Sequence, residues 1–272
     1  MSGEFSGKRH CGLDPQSSRF ARGIAGQARN DVSALAMQQT TSKIILFLFA
    51  TLLLSSCGVR RAATLPQFSV NPIVREFQPL SETQKDSLLA IYGTNKTFVD
   101  KYLNATLIAL SYFPELRYTH IEFRYSHERT TMAARPVPMS VFRRTTRYRI
   151  FINSNYNFEG IILRDIPFNA KVGLIAHELE HIADYERKNF FGIIGIAFRW
   201  MDPVRRVLFE KEIDRALVLR GLGWQLYDWA TYSMFESERA TEAYRQFKRD
   251  NYKNPEEIRQ LIYFLSRYSH TL

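Results

Sequence analysis

The sequence predicts an α+β domain in which a small antiparallel sheet packs on one long helix and is followed by a helical C-terminal half. Three observations carry this. In residues 119–125 and again in 147–152, side chains alternate with the period of two that marks half-buried strands. Val172, Ile175, Leu179 and Ile182 then recur at spacings of three and four, which is one apolar stripe of a helix. After Gly221 and Gly223, residues 224–235, 236–250 and 255–268 read as three more helices. With 272 residues, 45% of them hydrophobic and 14% aromatic, the chain has enough apolar surface for one sizeable core, so residues 81–272 are expected to form a single domain.

The chain before that domain is of another kind. Residues 1–36 are polar and rich in Gly, Ser and Arg, without apolar periodicity, and read as a mis-called upstream extension or a disordered tail, with Met37 the better native start. Lys43 then precedes an apolar run, residues 44–54, and Ser55, Ser56 and Cys57 follow it. A basic residue, a short apolar core and small residues in this order make a secretory signal, too short for a transmembrane helix of about 20 residues. The ending LSSC resembles the lipobox of bacterial lipoproteins, which implies that Cys57 is lipidated and that residues 37–57 are the signal peptide. This places the protein at the bacterial cell envelope, anchored by lipid and exported, on the periplasmic side or outer membrane rather than in the cytoplasm. Residues 58–80 mix Arg, Pro and small polar residues without a period and read as a tether.

The net charge of +10 raises the question of nucleic acid, but the basic residues are spread along the chain and no zinc-finger, RNP-like or phosphate-loop motif accompanies them. Solubility or attraction to an anionic membrane explains the excess, and no nucleic-acid partner is expected. Removing the residues before Cys57 takes away six basic and three acidic side chains, so the remainder keeps +10 − 3 = +7. The two cysteines, Cys11 and Cys57, both lie outside the folded part, so disulfides contribute nothing there.

Within the domain, Ser81 and Glu82 open a short helix through Tyr92, and Thr94 or Asn95 opens another that ends before Pro114. Ile121, Phe123 and Tyr125 mark a first strand, and Tyr148, Ile150 and Ile152 a second. Residues 137–142 are a candidate third strand, confined to an edge by Pro136 or Pro138. Arg143, Arg144, Arg147 and Arg149 form a basic cluster, read as an ordinary solvated strand face or a surface for acidic substrates or anionic lipid. His120 and His127 lie near the first strand, where a structural role is the simpler reading.

The long helix carries the chemistry. With Asn169 as its expected cap, it contains His177, Glu178, Leu179, Glu180 and His181, the pattern HExxH. Residues four apart stack on one helical face, so the two imidazoles can converge on one cation, and neutral imidazole nitrogen suits zinc. Glu178 projects about 60° from His181 and about 100° from His177, beside the metal rather than on it, which is the place of a general base.

A catalytic zinc takes three protein ligands and keeps a position for water. The HExxHxxGxxH route is closed, since Asp184 stands at the glycine position and Arg187 at the last. Downstream, residues 209–216 read FEKEIDRA and place Glu210 and Asp214 at i and i+4 on one face. Together with HExxH this resembles the ExxxD pairing of gluzincin metallopeptidases, a group that includes thermolysin-like enzymes and the membrane-associated family of the CAAX prenyl endopeptidase. The resemblance covers the two motif helices. It implies a zincin-like fold, Zn2+ held by His177, His181 and Glu210, Asp214 as the residue that orients a ligand histidine, and Glu178 as the base. In zinc peptidases of this type an edge strand beside the cleft receives an extended substrate, and residues 146–153 are the expected strand.

Residues 189–201, NFFGIIGIAFRWM, are too apolar for an ordinary loop and too short to span a bilayer. Burial against the sheet or the metal helices is the preferred reading, with a lid or contact with a bilayer surface as alternatives. Tyr227, Tyr232 and His270 are candidate oxyanion donors, but spacing selects none of them. The expected function is a zinc-dependent peptidase acting on peptides or proteins, and the alternative is a non-enzymatic lipoprotein of the same fold serving as scaffold or chaperone.

Overall fold

The computed structural model describes residues 72–143, 145–265, 268 and 270. The expected upstream extension, the segment ending at Cys57 and the first part of the tether lie outside these residues. The later part, residues 72–80, is fastened to the domain: Ile73 is buried, Tyr112 Oη donates to the Pro72 carbonyl at 2.6 Å, and Gln225 Nε2 donates to the Val74 carbonyl at 3.0 Å.

Helix α1 spans Glu82–Tyr92 and starts where Ser81 and Gln84 form a reciprocal capping box. The second helix begins later than its sequence suggests. Asn95 takes a left-handed backbone (φ 62°), and Lys96–Thr97 forms a short strand, β1. Lys96 Nζ donates to the carbonyls of Leu116 and Arg117, both at 2.9 Å, which ties this stretch down as strand. Helix α2 then runs Leu103–Ser111, buried from Ala105 through Leu110.

Strands β2 (His120–Ser126), β3 (Met132–Pro136) and β4 (Arg147–Asn153) complete a four-stranded sheet of order β1-β2-β4-β3 among the described residues. The sheet is mixed rather than antiparallel. β1 and β4 both run parallel to β2, and only β3 and β4 are antiparallel. Alternation records which face of a strand is buried but not its direction, so the expected antiparallel order had no support in the pattern. Residues 138–142 form a 3₁₀ turn rather than a strand, and the edge strand lies just before them. The β4 segment proposed to receive substrate is flanked by β2 and β3, so the edges of the sheet are β1 and β3, and β3 is the one packed on the long helix.

Helix α3, Phe168–Glu186, is the central element, with 15 of its 19 residues buried. Pro167 occupies its cap, and Asn169, the expected cap, turns inward to accept from Phe77 N at 3.0 Å and Gln225 Nε2 at 3.1 Å. Sheet strand β3 covers one side of α3, and α2, α5 (Pro203–Leu217) and α6 (Gly223–Thr231) cover the others. Gly173 permits the α6 approach, since a Cβ there would meet the Gln225 carbonyl oxygen at 2.1 Å.

Helix α4, Phe190–Met201, links α3 to α5, and Asp202 caps α5 by accepting from Val204 N and Arg205 N. A π-helical turn, Val218–Leu222, joins α5 to α6, with Gly221 at φ 108°, a conformation that disfavours a side chain. Helices α7 (Glu242–Asn251) and α8 (Pro255–Phe264) close the domain. The segment expected as one helix over residues 236–250 starts only at Thr241, which caps α7.

Candidate metal centre

On α3, His177 and His181 lie one turn apart with ring centroids 4.8 Å from each other. Helix α5 crosses beside them and presents Glu210 and Asp214 inward, each 1% exposed, while Glu212 points outward to Arg199. Glu210 Oε2 is 3.2 Å from His177 Nε2 and 3.5 Å from His181 Nε2. His177, His181 and Glu210 each offer one ligand atom, and these atoms lie within 4.8 Å of one another. The remaining Glu210 oxygen, Oε1, and His181 Nδ1 are buried without a hydrogen-bond partner. Two imidazoles and a carboxylate so placed, with a carboxylate oxygen unsatisfied, can hold a metal ion.

Asp214 binds the other nitrogen of His177, with Oδ1 at 3.0 Å from Nδ1, and its Oδ2 accepts from Lys253 N at 2.9 Å. Such a carboxylate fixes the ring and leaves Nε2 directed at the cluster. The same carboxylates govern the proton of His177. Burial opposes charge on His177, but hydrogen bonds to Asp214 and Glu210 outweigh it and raise its pKa to about 10. Burial likewise opposes charge on Glu210, and the neighbouring His181 and His177 nevertheless hold its carboxyl well below the usual range.

These two shifts have opposite signs in stability. The His177 contribution is complete below its ordinary value of 6.5 and is lost as pH rises towards about 10, whereas that of Glu210 is present above the ordinary carboxylate value and fades in acid. A cation must displace the His177 proton. Its apparent affinity is therefore expected to rise about tenfold per pH unit between about 7 and 10, with proton release. Competition titrations against a chelating dye at several pH values measure this, and an affinity independent of pH would show that His177 carries no proton to displace.

Glu178 is also buried, and its Oε2 accepts from Ala134 N at 2.6 Å, which pins the carboxylate to edge strand β3. It lines a cleft of about 500 Å³ with His181, Glu210, Tyr185, Tyr252, residues Met132 through Pro136 of β3, and Ile193, Ile196 and Trp200 of α4. Tyr252 is a residue the sequence patterns do not single out. Its ring lies 5.6 Å from that of His177, and burial, then the Glu210 and Glu178 carboxylates, push its pKa well above the usual value, so it stays a neutral phenol. Its place follows from a long-range contact of the loop between α7 and α8, which has no local signature.

The remaining candidates lie elsewhere. Tyr232 Oη donates to the Asp165 carbonyl at 2.8 Å, Tyr227 lies against Trp224, and His270 is exposed. His120 sits with Lys96, Arg147 and Arg149 in a separate hollow, and His127 is exposed. Of the arginine cluster, Arg147 and Arg149 line that hollow rather than the cleft, Arg149 pairs with Glu122 at 2.7 Å, and Arg144 is outside the described residues.

Glu180, inside the motif, has a structural task. Its Oε2 accepts from Arg220 Nε at 2.8 Å, and Arg220 in turn pairs with Glu115 at 2.8 Å, donates to the Tyr112 carbonyl at 3.0 Å and covers the Phe113 ring at 4.0 Å. This buried arginine sits on the π-helical turn after α5 and so locks the two metal-site helices in register.

Fold and site together define an α+β protein with a buried His-His-Glu cluster, able to hold a metal ion, at the base of a cleft. Compared with sequence families, curated proteins and solved structures, the chain shows no match.

Proposed function

We propose that the chain is a zinc-dependent peptidase of the bacterial cell envelope, anchored through lipidated Cys57. The observation that carries the reading is the meeting of His177, His181 and Glu210 beside a carboxylate, Glu178, that is not part of the cluster but faces the same cleft. His177, His181 and Glu210 would hold the zinc, and two nitrogens with one oxygen are a donor set it favours. Held there, zinc would supply Lewis-acid chemistry, polarising a carbonyl and lowering the pKa of water from about 15.7 towards neutrality.

The protein's own groups do the rest. Glu178 takes a proton from the attacking water and delivers it to the leaving amine. Ala134 N–H keeps its carboxylate aimed into the cleft, and Asp214 keeps the His177 ring in place. The free edge of β3 offers main-chain groups to an extended peptide, and Ile193, Ile196 and Trp200 supply an apolar wall for its side chains.

A scaffold or chaperone of the same fold is the second reading, and the place of Glu178 beside the cluster and on the cleft favours the enzyme over it. Metal analysis of the purified protein, joined to a peptide-hydrolysis assay with and without chelator, tests the choice. One zinc per chain and hydrolysis lost on chelation and restored by zinc are expected. A folded chain that takes up zinc yet cleaves nothing, or one that stays metal-free and cannot be reconstituted, overturns the peptidase and supports the scaffold.

A further inference from the structure

Lys248 is a buried cation that the reaction described so far does not use. It stands on α7, 6% exposed, and no carboxylate or other hydrogen-bond acceptor meets its ammonium among the described residues. A charge taken out of water without a counter-ion is costly unless something offsets it. Three rings surround it here: the ammonium lies 5.3 Å from the ring centroid of Trp229, 5.6 Å from that of Tyr244 and 4.1 Å from that of Tyr252. Each is within reach of the attraction between a cation and an aromatic face, and Tyr252 is the nearest.

Of the three rings only that of Tyr252 lines the cleft of the metal cluster. It is held from several sides. Lys248 stands over its face, the His177 imidazole lies 5.6 Å away at 61°, and the Phe247 ring lies 6.3 Å away at 72°. The main chain is fixed as well, since Tyr252 N donates to the Lys248 carbonyl at 3.1 Å and the next residue, Lys253, donates from its N to Asp214 Oδ2 at 2.9 Å. Yet the phenol hydroxyl meets no hydrogen-bond partner among the described residues. A ring so constrained, with its polar end left open on a cleft, is arranged for a partner that arrives with the ligand. Tyr185, the other phenol on the cleft, stacks on Tyr148 and has no cation over its ring among the described residues.

Its place gives the phenol a task. Glu178 is pinned from strand β3, whereas Tyr252 enters beside His177 from the loop between α7 and α8, so the two approach the cluster from different walls. When water adds to a peptide carbonyl, its proton goes to Glu178 and negative charge develops on the carbonyl oxygen. A fixed donor aimed at that oxygen stabilises the transition state more than the bound substrate. A phenol, neutral near pH 7 at its ordinary pKa of about 10, is such a donor. The ammonium on its ring face favours electron density leaving the hydroxyl, which strengthens the O–H as a donor.

We propose that Tyr252 is a further catalytic residue, donating a hydrogen bond to the carbonyl oxygen of the scissile peptide, and that Lys248 is its positioning residue, holding and polarising the ring from outside the cleft. The phenol keeps its proton throughout, and the proton of water still goes to Glu178. The inference rests on the peptidase reading and extends it to a buried lysine that touches neither the cluster nor the cleft.

The test compares the zinc-loaded full chain with Tyr252→Phe, Lys248→Met, Lys248→Arg and the double variant Lys248→Met, Tyr252→Phe. Two quantities are read: steady-state kinetics, and calorimetric affinity for a phosphinic peptide, whose tetrahedral anionic centre resembles the charge of the transition state. Tyr252→Phe is expected to lower kcat by about 10²- to 10³-fold, the range for loss of one such donor, with KM little changed and the phosphinic peptide bound more weakly. Lys248→Met should lower kcat by about tenfold, and Lys248→Arg should recover most of that, since a guanidinium also sits over a ring. In the Tyr252→Phe background Lys248→Met should cost nothing further, an equality that a lysine serving only to pack would not produce. Parental kcat or parental phosphinic affinity in a folded, zinc-loaded Tyr252→Phe protein would overturn the proposal. So would equal losses from Lys248→Met with and without the phenol. A parent that binds zinc but cleaves nothing would instead overturn the peptidase reading, and this inference with it.

Discussion

Replacing Glu178 with Gln is expected to slow peptide hydrolysis by about 10²- to 10⁴-fold, the usual range for removal of a general base, and to leave one metal per chain. The substitution keeps the length of the side chain and an oxygen that can accept from Ala134 N, so the contact between α3 and β3 survives. His177, His181 and Glu210 are untouched, so metal affinity has no reason to fall. What disappears is the site that receives the proton of water. Metal analysis beside initial-rate kinetics separates the two effects, and a variant that turns over at the parental rate would remove Glu178 from the mechanism.

Arg220→Met is expected to destabilise the fold by about 3 kcal/mol, the lower end of the range for breaking a buried ion pair. Methionine fills most of the space of the arginine stem but leaves Glu180, 1% exposed, without its closest cationic partner. Arg187 Nη2, at 3.1 Å from the other Glu180 oxygen, remains and limits the loss. Chemical denaturation reads the change as a lower midpoint with an unaltered slope. The double variant Arg220→Met, Glu180→Gln should recover part of it, since the stranded charge is gone. If the single variant were as stable as the parent, the clamp between the two site helices would have no energetic role.

The parts of this architecture legible in the sequence are those written in local period. HExxH sits on a helix because Val172, Ile175, Leu179 and Ile182 recur at helical spacing, and Glu210 and Asp214 lie four apart, so both pairs project from single faces. Strands β2 and β4 are legible in Ile121 and Phe123 and in Tyr148, Ile150 and Ile152, all buried in the structure. Strand direction is not, because alternation is the same either way along the chain. The edge strand is misplaced by a few residues, since Met132 to Pro136 lacks a clean apolar alternation. Asn169 illustrates a different limit: its residue type suits a helix cap, yet bonds to Phe77, 92 positions earlier, and Gln225, 56 later, claim its side chain. The exposure of Phe191, Ile194 and Phe198 on α4, where the sequence reading prefers burial, is equally hidden, because an apolar helix looks the same in sequence whether protein or solvent surrounds it.

Asp214 reaches in two directions, one oxygen on the imidazole of His177 and the other on the main chain at Lys253, next to Tyr252. A single side chain thereby links the imidazole of the cluster to a distant C-terminal bend. A cation that steadied the imidazole would, through Asp214, also be coupled to the main chain that carries the aromatic ring in the wall of the cleft.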